Sequence, residues 1–187
     1  MQTLCDARDR AALFALIKKN AFFREKIILS SGKSSDYYID ARRVTLTGEG
    51  AYFAAKIILD LVQRDSYDAI GGPTLGADPF IGAIGVLAHQ AGKPLNTFIV
   101  RQAPKAHGTQ QQIEGPLLPK AAKVILVDDV ATTGKAFLES IAVMQKEGFQ
   151  VLKAVCLVDR GEGAKEALAK LGCPLVSIFT AEEFLKN

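Results

Sequence analysis

From Ala69 to Phe179 short apolar runs alternate with helical patterns, and that alternation limits the fold more than any other feature of the chain. Apolar runs at Ala69–Gly71, Thr97–Val100, Lys123–Asp128, Val151–Val158 and Leu175–Phe179 predict strands, while Ala77–Gln90, Gly134–Glu147 and Glu162–Lys170 predict helices. Continuous apolar strands separated by helices imply an α/β fold with a central parallel sheet covered by helices. Upstream, Asp6–Lys19 reads as a helix with Leu13, Leu16 and Ile17 on one face, placed to cover the sheet's end. Ala54, Ile57, Ile58 and Leu61 mark a second helix by their spacing. Between the two, Lys26–Leu29 and Tyr37–Asp40 flank the turn-rich Ser30–Asp36 and predict a small hairpin cap. At the other end Thr180 with Glu183 forms a capping box.

A chain of 187 residues that is 49% hydrophobic is expected to form one domain with a core of its own, without metal or disulfide staples. Its longest apolar stretch, Pro79–Ala88, is about half the ~20 residues a membrane helix requires, so no membrane partner is expected. Asp6, Arg8, Asp9 and Arg10 break the order of a signal peptide, and a cytoplasmic location follows as the expectation. The cysteines Cys5, Cys156 and Cys173 form no CxxC pair, which fits a reducing compartment, and Cys156 reads as a small buried hydrophobe. With only His89 and His107 a histidine-rich metal site is excluded, and His89 reads as structural. A net charge of +3 gives no basis for a nucleic-acid partner.

The segment that carries chemistry is Val124–Lys135. A buried strand ends in Asp128 and Asp129, and the small, hydroxyl-rich turn Ala131, Thr132, Thr133, Gly134 then opens a helix at Lys135. Ligands of parallel α/β sheets bind at the carboxyl ends of strands, where this segment falls. Such a turn wraps N–H groups around a phosphate, helped by two hydroxyls and the helix dipole. Adjacent acids repel a second phosphate but suit ribose hydroxyls, a hydrated Mg²⁺ or a developing cation, so a sugar phosphate is the implied ligand. The plainer alternative is that the two aspartates end a strand and cap a helix. Two other phosphate motifs fail. Gly71 and Gly76 have Walker spacing but are followed by Ala77 and Asp78, and Gly161–Gly163 lacks the third glycine of a dinucleotide turn.

An apolar strand, two acids and Thr-Thr-Gly together resemble the phosphoribosyl-pyrophosphate signature of the type I phosphoribosyltransferases. Arg101–Gly108 running on to Ile113–Gly115 resembles the mobile catalytic loop of the orotate enzymes of that family, and Leu29–Tyr38, Gly71–Pro79 and Leu157–Arg160 agree with it in order and spacing. The resemblance covers Phe22 to Phe179 and implies a single phosphoribosyltransferase domain over 1–187, with a hood at about 20–45 and a mobile loop at about 101–120. Read from the residues alone, Arg101–Lys120 is polar and shows neither period, and its basic residues favour a lid.

The implied reaction moves a phosphoribosyl group from 5-phosphoribosyl 1-pyrophosphate (PRPP) to orotate, with Mg²⁺ required and held mainly by PRPP and water near the acids. By the same resemblance Asp128 and Asp129 hold the ribose hydroxyls, Ala131–Lys135 cradle the 5′-phosphate, and Thr74 with its neighbouring glycines meets the pyrophosphate. Arg101, Gln102, Lys105 and His107 close over the donor, with His107 a possible proton donor, and the loop reaches a partner subunit in a homodimer. Arg160 and Thr132 bind the orotate carboxylate, and Tyr37 or Tyr38 covers its ring. For the tyrosines a place in the hairpin core is the rival reading, and Lys33 is either a solvated turn charge or a substrate contact. Many orotate enzymes carry lysine where this chain has Ser30, Gly76 and Gln102, so positive charge expected near the pyrophosphate is missing. Two other functions remain open: transfer to a different base, separable by comparing turnover of orotate, uracil, xanthine and hypoxanthine, and a PRPP-sensing nucleic-acid regulator, which requires salt-dependent RNA or DNA affinity.

Overall fold

The computed structural model describes residues 6–28, 34–103 and 111–186. Helix α1 (Ala7–Asn20) starts where Asp6 accepts hydrogen bonds from the Arg8 and Asp9 N–H groups while the Asp9 carboxylate accepts from the Asp6 N–H, a reciprocal cap. Leu13 and Ile17 are fully buried, and Leu16 is partly buried beside them.

The predicted cap divides differently from its sequence pattern. Strand β1 (Phe22–Phe23) pairs antiparallel with β4 (Tyr38–Ile39), and β2 (Ile27–Ile28) pairs with β3 (Ser34–Ser35). The Lys26 and Tyr37 runs therefore do not pair with each other. The aromatic pair Phe22–Phe23, assigned to no strand from its sequence, offers Tyr38 a better partner, with Tyr37 stacking on Phe22 at 5.8 Å. A single turn, α2 (Arg42–Thr45), leads into α3 (Gly48–Val62). Ala54, Ile57 and Ile58 of α3 face the core as expected, but Val62 takes the place assigned to Leu61, which is 43% exposed.

Six strands form the central sheet in the order β10 (Leu175–Thr180), β9 (Gln150–Asp159), β8 (Lys123–Ala131), β5 (Ala69–Pro73), β6 (Asn96–Val100), β7 (Ile113–Glu114). All neighbours are parallel except β6 and β7. That antiparallel edge lies in the segment expected to be structureless. Two residues are too few to show a period, and the pairing is set by Val100 opposite Ile113.

Alternation along β8 and β9 feeds two cores. Ile125, Val127, Val155 and Leu157 join residues of α1, α3, α4 (Asp78–Gln90) and α7 (Ala181–Lys186). Val124, Leu126, Ala154 and Cys156 join Phe137, Ile141 and Met144 of α5 (Lys135–Lys146) and Leu168 of α6 (Ala164–Ala169). Both faces being buried, the strands read as unbroken apolar runs. Cys156 and Cys173 are buried free thiols. At the predicted box the Thr180 N–H donates to Glu183 Oε1 at 2.9 Å. No helix among the described residues is long and apolar enough to cross a membrane.

After β5 the chain steps outward to β6 and β7, then returns to place β8 on the other side of β5. The strand order therefore reverses between β5 and β8, and in open α/β sheets the crevice outside the carboxyl ends at such a point is where ligands bind.

Candidate active site

Two turns meet in that crevice. The β8 strand extends to Ala131, three residues past the predicted end, so both aspartates are still strand residues and project from consecutive positions. Asp128 is buried and Asp129 partly so. Each carboxylate accepts the next residue's N–H, from Asp129 at 2.9 Å and from Val130 at 2.7 Å. Burial pushes the acidity of both down, Asp128 well above the ordinary carboxylate pKa with the neighbouring Asp129 charge adding to the effect. For Asp129, the Val130 N–H and the Arg42 guanidinium oppose the rise. Arg42 is itself held by Asp40 at 2.9 Å.

The turn after β5 lies directly on these acids. A Cβ at Gly76 would fall 2.4 Å from Asp129 Oδ1 and 2.6 Å from Asp128 Oδ1, so this backbone reaches the carboxylates only because position 76 has no side chain. A lysine there would have to displace the pair, a structural reason for its absence. Thr74 donates its N–H to Val100 O at 3.0 Å and accepts from Gln102 Nε2 at 3.2 Å, and the Thr74–Leu75 peptide is cis. Asp78, first residue of α4, is a nearby third acid that adds to the rise at Asp128, and burial raises its own pKa.

Beside the acids opens a cleft of ≈ 460 Å³ lined by Asp128, Ala131, Thr132, Thr133, Gly134 and Lys135, with Gln102 on the opposite wall. Gly134 has φ +81°, and a Cβ there would meet Leu168 Cδ1 at 2.7 Å, so the turn into α5 is both left-handed and pressed against α6. Thr132 is half-buried and Thr133 exposed. The Lys135 side chain is 81% exposed and lies 3.8 Å from Glu139, which leaves its backbone N–H as the part facing the turn.

Arg160 follows β9, and its N–H donates to Ala131 O at 2.9 Å, bringing it against the phosphate turn. Its guanidinium lies 4.3 Å from the Tyr37 ring centroid and donates to Glu162 at 2.7 Å and to Ser35 at 3.0 Å. Tyr37 packs on Phe22, as the hairpin-core reading expects, and also lies against Arg160. Tyr38 is the first residue of β4, paired with Phe23, and is close enough to Arg42 to influence its charge. Arg101 is paired with Glu114 at 3.4 Å. Lys33, Lys105 and His107 lie outside the described residues. His89 is exposed, away from the cleft.

Arg42, Asp40, Ser35, Glu162 and Asp78 escaped the sequence reading. The sequence pattern makes Glu162 the first residue of a helix and part of a rejected nucleotide turn, whereas the helix begins at Ala164 and leaves Glu162 in the preceding turn, bonded to Arg160. As for a metal, no group of three or more acids, histidines or cysteines among the described residues forms a cage. Asp128 on the cleft wall with Asp129 next to it fits an ion such as Mg²⁺, which keeps waters and phosphate oxygens as its other ligands.

Comparison with known proteins agrees with this geometry. Residues 45–179 match the phosphoribosyl transferase domain. The orotate phosphoribosyltransferase of Streptomyces avermitilis is 40% identical over 175 residues, covering 93% of this chain and 96% of the relative. Among solved structures, Mycobacterium tuberculosis H37Rv orotate phosphoribosyltransferase in complex with PRPP superposes with a TM-score of 0.77 at 32% identity, over 94% of this chain and 98% of that one. The orotate phosphoribosyltransferase of Aeropyrum pernix gives 0.76 at 39% identity, over 93% and 96%.

Proposed function

Because the chain belongs to the phosphoribosyl transferase family, we propose that its cleft binds PRPP beside orotate and forms orotidine 5′-monophosphate and pyrophosphate, a step of pyrimidine (UMP) biosynthesis. It is an orotate phosphoribosyltransferase, as are its relatives at about 40% identity over nearly their whole length. One observation carries the site assignment: the acid pair, the phosphate turn and a buried arginine stacked on Tyr37 converge at the strand-order reversal.

The chemistry follows from the residues. The C1′–O bond to pyrophosphate breaks as orotate N1 bonds to C1′, through a sugar with oxocarbenium character. Asp128 and Asp129 hold the ribose hydroxyls, directly or through water, and their charge favours the developing cation. Ala131–Lys135 fix the 5′-phosphate through N–H groups and the two threonine hydroxyls. Thr74 and the adjoining turn face the departing pyrophosphate, and Arg101, Gln102, Lys105 and His107 shut it away from water, His107 with an unperturbed pKa of ~6.5 suited to proton transfer. Asp128 and Asp129 would hold a hydrated Mg²⁺ that arrives with the donor and neutralises charge on the diphosphate. Thr132 and Arg160 take the orotate carboxylate, Tyr37 lies along the ring, and Tyr38 is left to the hood. Arg160 supports orotate over a base without a carboxylate, since its unpaired donors would then be stranded.

The same proposal includes one domain with its hood and lid, a homodimer sharing the loop across subunits, no nucleic-acid or membrane partner, and a cytoplasmic location that the two buried free thiols support. The test is the magnesium-dependent fall in orotate absorbance when PRPP is added. Asp129→Asn should lower turnover about 100-fold or more with the fold retained, and an unchanged rate removes the carboxylates from the mechanism.

A further inference from the structure

We propose that Ser35 and Glu162 are positioning residues for the acceptor base: they hold Nε and one Nη2 N–H of the Arg160 guanidinium, so that Nη1 and the second Nη2 N–H are left for a carboxylate. The inference rests on the reading that Arg160 binds the orotate carboxylate. The Arg160 side chain is 3% exposed, so its charge is confined to the contacts the fold supplies. Its Nε donates to Glu162 Oε1 at 2.7 Å and its Nη2 to Ser35 Oγ at 3.0 Å. A guanidinium receives a carboxylate in parallel fashion through either Nε and Nη2 or the two Nη atoms. Glu162 on Nε and Ser35 on Nη2 together take up the first of these edges.

Ser35 adds a second constraint. Its hydroxyl donates to Tyr37 O at 2.8 Å and accepts from Tyr37 N–H at 3.3 Å while accepting from Arg160. One oxygen therefore fixes both the guanidinium and the backbone of the residue whose ring covers its face at 4.3 Å. The fork is planar and rigid, so holding two of its N–H groups and one face sets the direction of the rest. What remains accepts a planar acid whose carboxylate lies in the plane of its ring. Ser35 belongs to the small β2–β3 sheet, 125 residues away from Arg160 in sequence, which makes this bond a link between the hood and the end of β9.

Steady-state kinetics with orotate and PRPP varied separately test the inference. Ser35→Ala should raise the orotate KM about tenfold, the size expected for a bond to a buried charge, while the PRPP KM and thermal midpoint stay at wild-type values. Ser35→Thr, which keeps the hydroxyl, should restore the orotate KM. Glu162→Ala should raise the orotate KM as Ser35→Ala does, with the PRPP KM again unmoved. If Arg160→Ala raises the orotate KM and both other variants leave it unchanged, the positioning role is rejected and the carboxylate reading stands. If Arg160→Ala leaves the orotate KM unchanged, the carboxylate reading itself falls. Parallel rises in both KM values, or a lowered thermal midpoint in Ser35→Ala, would make Ser35 a structural residue and overturn the inference.

Discussion

Asp128 and Asp129 oppose stability to suit chemistry. Burial raises both pKa values above the ordinary range, and Asp128 rises further because its neighbour carries like charge. A carboxyl whose pKa is higher folded than unfolded binds its proton more readily in the folded state. Its favourable contribution is complete below the unfolded value and is lost as pH rises through the folded one. At neutral pH the pair is therefore a cost, and Asp128→Asn, which keeps an acceptor oxygen for the Asp129 N–H, should melt higher than wild type at pH 7 without Mg²⁺ or PRPP. The gap should close as pH falls toward 4, because both proteins are then uncharged at this position. Thermal unfolding between pH 4 and 8 checks this, and a gap independent of pH would mean that the aspartates are not the cause. The sequence showed the two acids and the threonine turn. It did not show that Gly76 presses on them, since nothing in a glycine's local pattern names the atoms its missing side chain would strike.

Among the elements, the turn between β8 and α5 has little tolerance for a side chain. Gly134 combines a left-handed φ of +81° with a contact that leaves no room for a methyl group, 2.7 Å from Leu168 Cδ1 and 3.2 Å from Ala164 Cα. Gly134→Ala should cost about 1–3 kcal/mol from backbone strain. It should also raise the PRPP KM, because the N–H groups of the turn would be re-aimed. Urea unfolding together with PRPP titration separates the two effects, and wild-type values in both would show that the turn accommodates a side chain. Helices and parallel strands were legible as elements because their periods run over many residues. The hood was legible as a small antiparallel cap, but its strand pairing was not, because its strands are two residues long and their pairing depends on which aromatic residues meet after collapse, as with Tyr38 opposite Phe23.

For the whole molecule, a ligand bound only by the folded state should raise the thermal midpoint. Saturation at about 100 times Kd contributes about 2.7 kcal/mol. PRPP with Mg²⁺ should stabilise wild type in this way and Asp129→Asn far less, while equal shifts would place the donor elsewhere. Sedimentation equilibrium should return twice 20.1 kDa, and a monomer at assay concentrations would reject the shared loop. By itself the sequence determined the α/β class, the element order from Ala69 onward apart from β7, and the Val124–Lys135 motif, since each depends on residues close together in the chain. Only the tertiary structure decided the antiparallel β7 edge, the reversal that puts the β5 turn against Asp128 and Asp129, and the meeting of Ser35, Tyr37, Arg160 and Glu162. Those contacts join segments up to 125 residues apart, and they are selected by packing and by the need to satisfy a buried charge, which no local pattern records.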